Sequence, residues 1–307
     1  METRPALDQR RFRLGDGERV ADGVRRIARG QLDMSIERLE GDTDEDLGTA
    51  VHETRKSLKR LRAIVRVARD ELGEEAYRRE NVAFRDAGRR LGGARDSQVL
   101  LETLGALSDH CADEAPPERY ARFKRTLVGQ HGAARRRLHE GAAVAEVLGE
   151  LRRARARVGD WQLERDGLDA LAPGFKRIYR RGRRAYRTAD QEPSAENLHE
   201  LRKRAKYLWY AAQLVRGAAP KKMKRIARRA HELSDLIGEE HDLALLAQRA
   251  TERRDRFPDA TAAGELELLV ERRRDELQRA ALELARRLFR KKPRKIARPL
   301  EKSGAAA

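Results

Sequence analysis

A single cysteine, Cys111, in 307 residues rules out an internal disulfide and a thiolate metal cluster, and leaves that side chain the ordinary role of a small buried hydrophobe. Aromatic residues make up only 5% of the chain, so a core must be filled mainly by Ala, Leu and Val, a composition that suits helices packed on helices. Nowhere do about 18 apolar residues run together, and the amino-terminal METRPALDQRRFRLGDGERV holds no apolar stretch of signal-peptide length. These absences point to a cytoplasmic chain with no membrane partner. No segment sustains the alternation of a strand, and neither a Walker-type phosphate loop nor a dinucleotide fingerprint occurs.

What the chain has in excess is positive charge. Lys and Arg outnumber Asp and Glu 69 to 51, for a formal net charge of +18, and self-repulsion on that scale is offset most simply by a polyanionic partner. The plainer alternative is a solvated ionic surface, and the placement of the charges decides between them.

Helical spacing recurs along the whole chain, so the expected fold class is all-α. Helices are predicted from Val20 to Gly41, from Thr49 to Gly73, from Glu75 to Leu107 with a bend near Gly92 and Gly93, and from Glu118 to His139 after the pair Pro116-Pro117. Val144 to Gly159 reads as one more helix or a crossover, and Asp160 to Pro173, with Trp161, as a linker containing packed residues. Helical patterns resume over Gly174–Thr188, Ser194–Arg216, Lys221–Arg254 and Ala262–Phe289, with breaks at Pro193, Pro220 and Pro258. The tail from Arg290 reads as a partly ordered basic extension or an inert terminus.

The second set of helices echoes the first. VHETRKSLKRLR from Val51 matches LHELRKRAKYLW from Leu198, setting His52 against His199, Arg55 against Arg202, Lys56 against Lys203 and Lys59 against Lys206. GGARDSQVLL from Gly92 matches GEEHDLALLA from Gly238, with Asp96 against Asp242 and Arg95 against His241. Two echoes in the same order suggest duplication of a four-helix unit. The expected layout is one domain over 18–289, with a first repeat at about 18–141, a connector at about 142–173, a second repeat at about 174–289 and a basic tail at 290–307.

On the second helix, His52, Arg55, Lys59, Arg62, Arg66 and Arg69 each follow a member of the apolar stripe, and so form a row about 100° round from the core. His199, Arg202 and Lys206 repeat that row, and Lys56 and Lys203 widen it. A row so close to the buried face lines a groove more naturally than a solvated rim, and cations at one-turn intervals suit an extended phosphate chain. Glu53 and Glu200 are expected to point elsewhere. His52 and His199 could each touch ligand or bridge helices, and His231 and His241 could reinforce the second half.

Enzyme readings fare poorly. Both histidine motifs begin like HExxH but lack the second histidine. Asp96 and Asp242 suit helix capping or arginine pairing better than a Mg²⁺ site. No catalytic residue, metal site or cofactor is expected.

At VHETRKSLKRLR, LGGARDSQVL, LHELRKRAKYLWY and IGEEHDLALL the sequence resembles the conserved-histidine α-helical domain, or CHAD, family over about Val20 to Phe289. The resemblance implies two four-helix bundles related by approximate two-fold symmetry around a basic groove or pore. It also implies non-catalytic binding of inorganic polyphosphate, with polyphosphate granules and their associated proteins as further partners. The implied binding residues are His52, Arg55, Lys56, Lys59 and Arg62, then His199, Arg202, Lys203 and Lys206, with Arg66 continuing the first row. Arg25, Arg26 and Arg29, and their counterparts Lys176, Arg180 and Arg183, would line neighbouring walls. Non-specific RNA or DNA backbone binding is the alternative, weakened by the scarcity of aromatic platforms. A Mg²⁺-dependent polyphosphate-processing role ranks third.

Overall fold

Apolar residues spaced by three and four, punctuated by Pro and small caps, fold as eleven α-helices among the described residues. The computed structural model describes residues 11–15, 17–41, 47–111 and 117–303, apart from the side chains of residues 93–96, 117, 135, 138–140 and 260. The helices are α1 (Val20–Glu40), α2 (Leu47–Val67), α3 (Arg69–Arg90), α4 (Gly93–His110), α5 (Ala121–Glu140) and α6 (Ala143–Arg157). After a connector with two 3-10 turns come α7 (Ala172–Gln191), α8 (Ala195–Leu214), α9 (Pro220–Glu252), α10 (Ala260–Phe289) and α11 (Pro293–Ser303). None of these helices is long and apolar enough to cross a membrane.

Local chemistry sets several helix starts. Ser194 accepts the Asn197 N–H at the head of α8, and Asp259 accepts the Ala262 N–H at 2.7 Å at the head of α10. Pro220 occupies the first turn of α9, where a missing N–H costs nothing.

Helix packing forms two cycles of contact. α1 lies against α2, α2 against α3, α3 against α6, and α6 back on α1; α7 likewise meets α8, α8 meets α9, α9 meets α10, and α10 returns to α7. α2 joins the cycles by packing on both α7 and α8. One continuous core runs through both, from Leu14 to Leu300, while a smaller apolar cluster lies under the α4–α5 hairpin and the far ends of α9 and α10. The few aromatics occupy central places: Trp161, Tyr179, Phe84, Phe123 and Phe289 are fully buried. Phe289 sits 5.5 Å from Tyr179 and 6.4 Å from Tyr186, and truncating it to Ala would cost about 3–5 kcal/mol.

Three expectations differ from the structure. The helix expected to run to Gly73 ends at Val67; the chain restarts at Arg69 and kinks at Gly73, whose φ of 75° only glycine adopts without strain. The helix expected from Glu75 to Leu107 is two, α3 and α4, divided at Leu91 and Gly92. The basic tail is ordered through Ser303: Ile296, Ala297 and Leu300 of α11 are buried against the core. A further close contact fixes the approach of α7 to α2, since a Cβ on Gly174 would lie 1.9 Å from the Val67 carbonyl oxygen.

Candidate functional site

On α2, Leu58, Leu61, Ile64 and Val65 turn into the core, fully buried. That leaves Arg55, Lys59, Arg62 and Arg66 half-buried along its margin. On α8 the buried Leu198, Leu201, Ala205 and Leu208 do the same for Arg202 and Lys206, while His199 and Lys203 are exposed. Because α2 packs on α8, members of the two rows meet. Arg55, Lys59 and Arg62 from α2 and His199, Lys203 and Lys206 from α8 line one cleft of about 470 Å³. Arg85 and Arg89 of α3, both beside Asp86, form a third wall, and among the described residues no carboxylate lines the cleft.

The field inside is strongly positive. Burial, with Arg202 and Lys59 alongside, pushes the Lys206 ammonium down to about 7, and Asp235 and Asp242 offset this only in part. Burial, then Lys203, His241 and Arg202, lowers His199 below the ordinary histidine range, so its ring is neutral at pH 7. Burial also weakens the hold of Arg62 on its proton, with Arg66 and Arg85 adding to the effect and Tyr207 opposing it. Such a site gains by taking up negative charge, because an anion restores both the lost solvation and the protonated state.

The basic surface continues past Tyr207. The Arg62 and Arg66 guanidinium groups lie over the Tyr207 ring, 5.7 and 4.3 Å from its centroid. Arg66 also donates to the Tyr77 hydroxyl at 2.9 Å. Beyond this ring Arg66 of α2 and Arg69, the first residue of α3, share a crevice with Arg177 and Arg181 of α7 and Arg204 of α8. Arg181 is held below its usual range by burial and by Arg204, Arg69 and Arg66. Arg177 is neutralised by Asp70 at 2.6 Å, and Arg204 by Glu200.

Other expected residues lie elsewhere. Arg25 donates to the Trp161 carbonyl at 2.6 Å, Arg26 is paired with Glu18, and Arg29 is exposed near Gly159. Arg183 donates to the Phe289 carbonyl at 3.1 Å, and neither Lys176 nor Arg180 lines the cleft. Lys56 and half-buried His52 are also outside its lining. Arg202 faces α9: a Cβ on Gly238 would lie 2.9 Å from its guanidinium, and it shares a neighbouring pocket with Asp242. His241 stands 5.4 Å from His199, whereas His231 lies tilted against Trp209, ring centroids 3.7 Å apart, and pairs with Asp235. The side chains of Arg95 and Asp96 fall outside the described residues.

Glu53 and Glu200 differ from expectation. Each reaches forward about one helical turn to a lysine of the motif, Glu53 to Lys56 at 2.6 Å and Glu200 to Lys203 at 2.5 Å. Sequence reasoning also passed over Arg85, Arg89, Arg177 and Arg181. Arg85 was findable, because it directly follows the buried Phe84 just as the α2 cations follow their stripe. Among the described residues no group of three or more His, Cys, Asp or Glu side chains is placed to hold a metal ion.

Against known proteins, the CHAD domain family model matches residues 26–251, a span containing both histidine helices and every residue that lines the cleft. No curated protein sequence matches the chain. CHAD domains are generally binding modules without catalysis of their own. With the greater part of its length matched, this chain belongs to the CHAD domain family.

Proposed function

We propose that the chain binds inorganic polyphosphate, without chemical conversion, in the cleft between α2, α3 and α8. One observation carries the reading: seven Lys and Arg side chains from three helices converge with His199 on a cleft that, among the described residues, no carboxylate lines. A linear phosphate polymer can place negative charge along all of it, releasing condensed counterions as it binds. Tyr207 is covered by Arg62 and Arg66 and so offers a base little stacking surface, which favours a bare phosphate chain over single-stranded nucleic acid.

The same reading takes the two helix cycles as duplicated four-helix units. The fourth member of the first is α6 rather than the α5 helix suggested by spacing, and the Glu53–Lys56 and Glu200–Lys203 pairs are matching parts. Association with polyphosphate granules and their proteins would follow from holding the polymer.

Titration of labelled long-chain polyphosphate at about 150 mM salt, where unspecific attraction is screened, tests the proposal against single-stranded RNA and duplex DNA matched in phosphate. Polyphosphate should win clearly and lose affinity with Lys59→Ala and Lys206→Ala. Equal displacement by nucleic acid would reduce the cleft to a general backbone-binding surface.

A further inference from the structure

A second cationic pocket lies on other helices and shares no residue with the cleft. The first turns of α9 supply Lys222, Arg225 and Arg229, and the end of α10 and the turn after it supply Arg287, Arg290 and Lys291. Ile226, Leu288 and Ile296 form an apolar floor beneath about 420 Å³ of space, and among the described residues no carboxylate lines it. Arg287 is paired with Glu283 of its own helix. Lys222 is committed to structure, donating to the Lys295 and Ile296 carbonyls at 2.9 and 3.2 Å and thereby tying α9 to α11. Among the described residues Arg225, Arg229, Arg290 and Lys291 have no acidic partner within ion-pair reach. Burial, with Lys291 and Arg225 close by, lowers the proton affinity of Lys222.

Unpaired cations held face to face repel one another, and this pocket keeps them together over a preformed floor. Half of its charges, Arg287, Arg290 and Lys291, lie beyond the stretch matched by the family model. We infer that this pocket is a second, independent oxyanion site, which takes a compact phosphate oligomer bearing several charges. Arg225 and Arg229, about one helical turn apart on one face, would grip it from α9, while Arg290 and Lys291 close on it from the opposite side. The occupant would also fasten α11 to the body of the domain.

The test is calorimetric titration of the full chain with inorganic tripolyphosphate at about 150 mM salt. Arg225→Gln/Arg229→Gln should abolish one class of sites or weaken it at least tenfold. Lys59→Ala/Lys206→Ala should leave that class intact. Arg184→Gln/Arg187→Gln removes the same charge from exposed positions of α7 and should have little effect. Hydrogen exchange in residues 293–303 should slow when tripolyphosphate is added to the wild-type chain and not when it is added to the α9 variant. An isotherm unchanged by Arg225→Gln/Arg229→Gln, or weakened equally by the α7 control, would overturn the inference. Loss of the class with the α9 variant alone would uphold it even if the cleft proved not to bind polymer.

Discussion

The two histidine helices carry nearly the same motif, yet they put it to different uses. Arg55 of α2 donates to the Gly92 carbonyl at 3.1 Å, and Arg202 of α8 packs on Gly238, the glycine that aligns with Gly92. The motif therefore docks on its neighbouring helix in both halves. Past that point the copies diverge. α2 extends its cations through Arg62 and Arg66, and Arg69 at the head of α3 continues them, braced by Tyr77 and Tyr207. α8 ends its row at Lys206, and Trp209, which aligns with Arg62, instead stacks on Tyr210 and packs tilted against His231. α2 thus supplies the number of charges in the cleft, and α8 supplies the one most sensitive to its surroundings.

The largest effect that would sharpen this contrast is expected on the α2 side. Charge-assisted hydrogen bonds are worth roughly 1.5–3 kcal/mol each, so Lys59→Ala/Arg62→Ala should weaken long-chain polyphosphate binding about a hundredfold or more at physiological salt. Lys203→Ala should cost only about threefold, because Lys203 is already tied to Glu200 and an exposed pair gives back little. Equal losses measured by fluorescence titration would break the asymmetry.

A smaller effect belongs to Lys206 alone. Its empty-site value is near 7 and a bound polyanion would raise it, so binding takes up a proton between pH 7 and the bound-state value. Affinity should fall by about tenfold between pH 7 and pH 8.5, and calorimetry in buffers of different ionisation enthalpy at pH 8 should report close to one proton absorbed. Lys206→Met should abolish that uptake; its persistence in the variant would place the titrating group elsewhere. His199, depressed in the same field, should add affinity only as the pH falls below the ordinary histidine range.

The smallest effect is on stability without ligand. Lys206 titrates lower in the folded chain than in the unfolded one, so between about 7 and 10.5 the unfolded state binds more protons and stability rises with pH. The lysine's penalty is complete below pH 7. Lys206→Met should accordingly stabilise the chain by about 2 kcal/mol at pH 6 and by much less at pH 10, read by urea unfolding. A gain of equal size at both pH values would mean that packing, rather than charge burial, sets the difference.

Much of this site was legible because α2 and α8 obey one rule, a cation directly after each buried stripe position, and helical geometry turns that rule into a row. The rule did not reveal where the rows stop cooperating. Lys56 and His52 share the motif but fall outside the cleft, and Arg25 and Arg183 were suggested by a weak echo and are spent on the Trp161 and Phe289 carbonyls. Those are tertiary contacts with no local sequence mark. The break at Ala68 was illegible for a similar reason, since alanine is a strong helix former and only the packing of α3 and α7 on α2 demands a turn there. α11 was obscured by its charge and by Pro299, although Ile296, Ala297 and Leu300 keep helical spacing.

The central claim is that both rows belong to one site spanned by one chain. In the Arg225→Gln/Arg229→Gln background, a short polyphosphate should be titrated into the protein and into Lys59→Ala, Lys206→Ala and the double variant, with affinity and stoichiometry read together. A shared site predicts one ligand per protein throughout, with each single substitution lowering the affinity of that one event and the two effects coupled. Loss of part of the stoichiometry with the remaining affinity unchanged would mean that α2 and α8 bind separately, and would contradict the account.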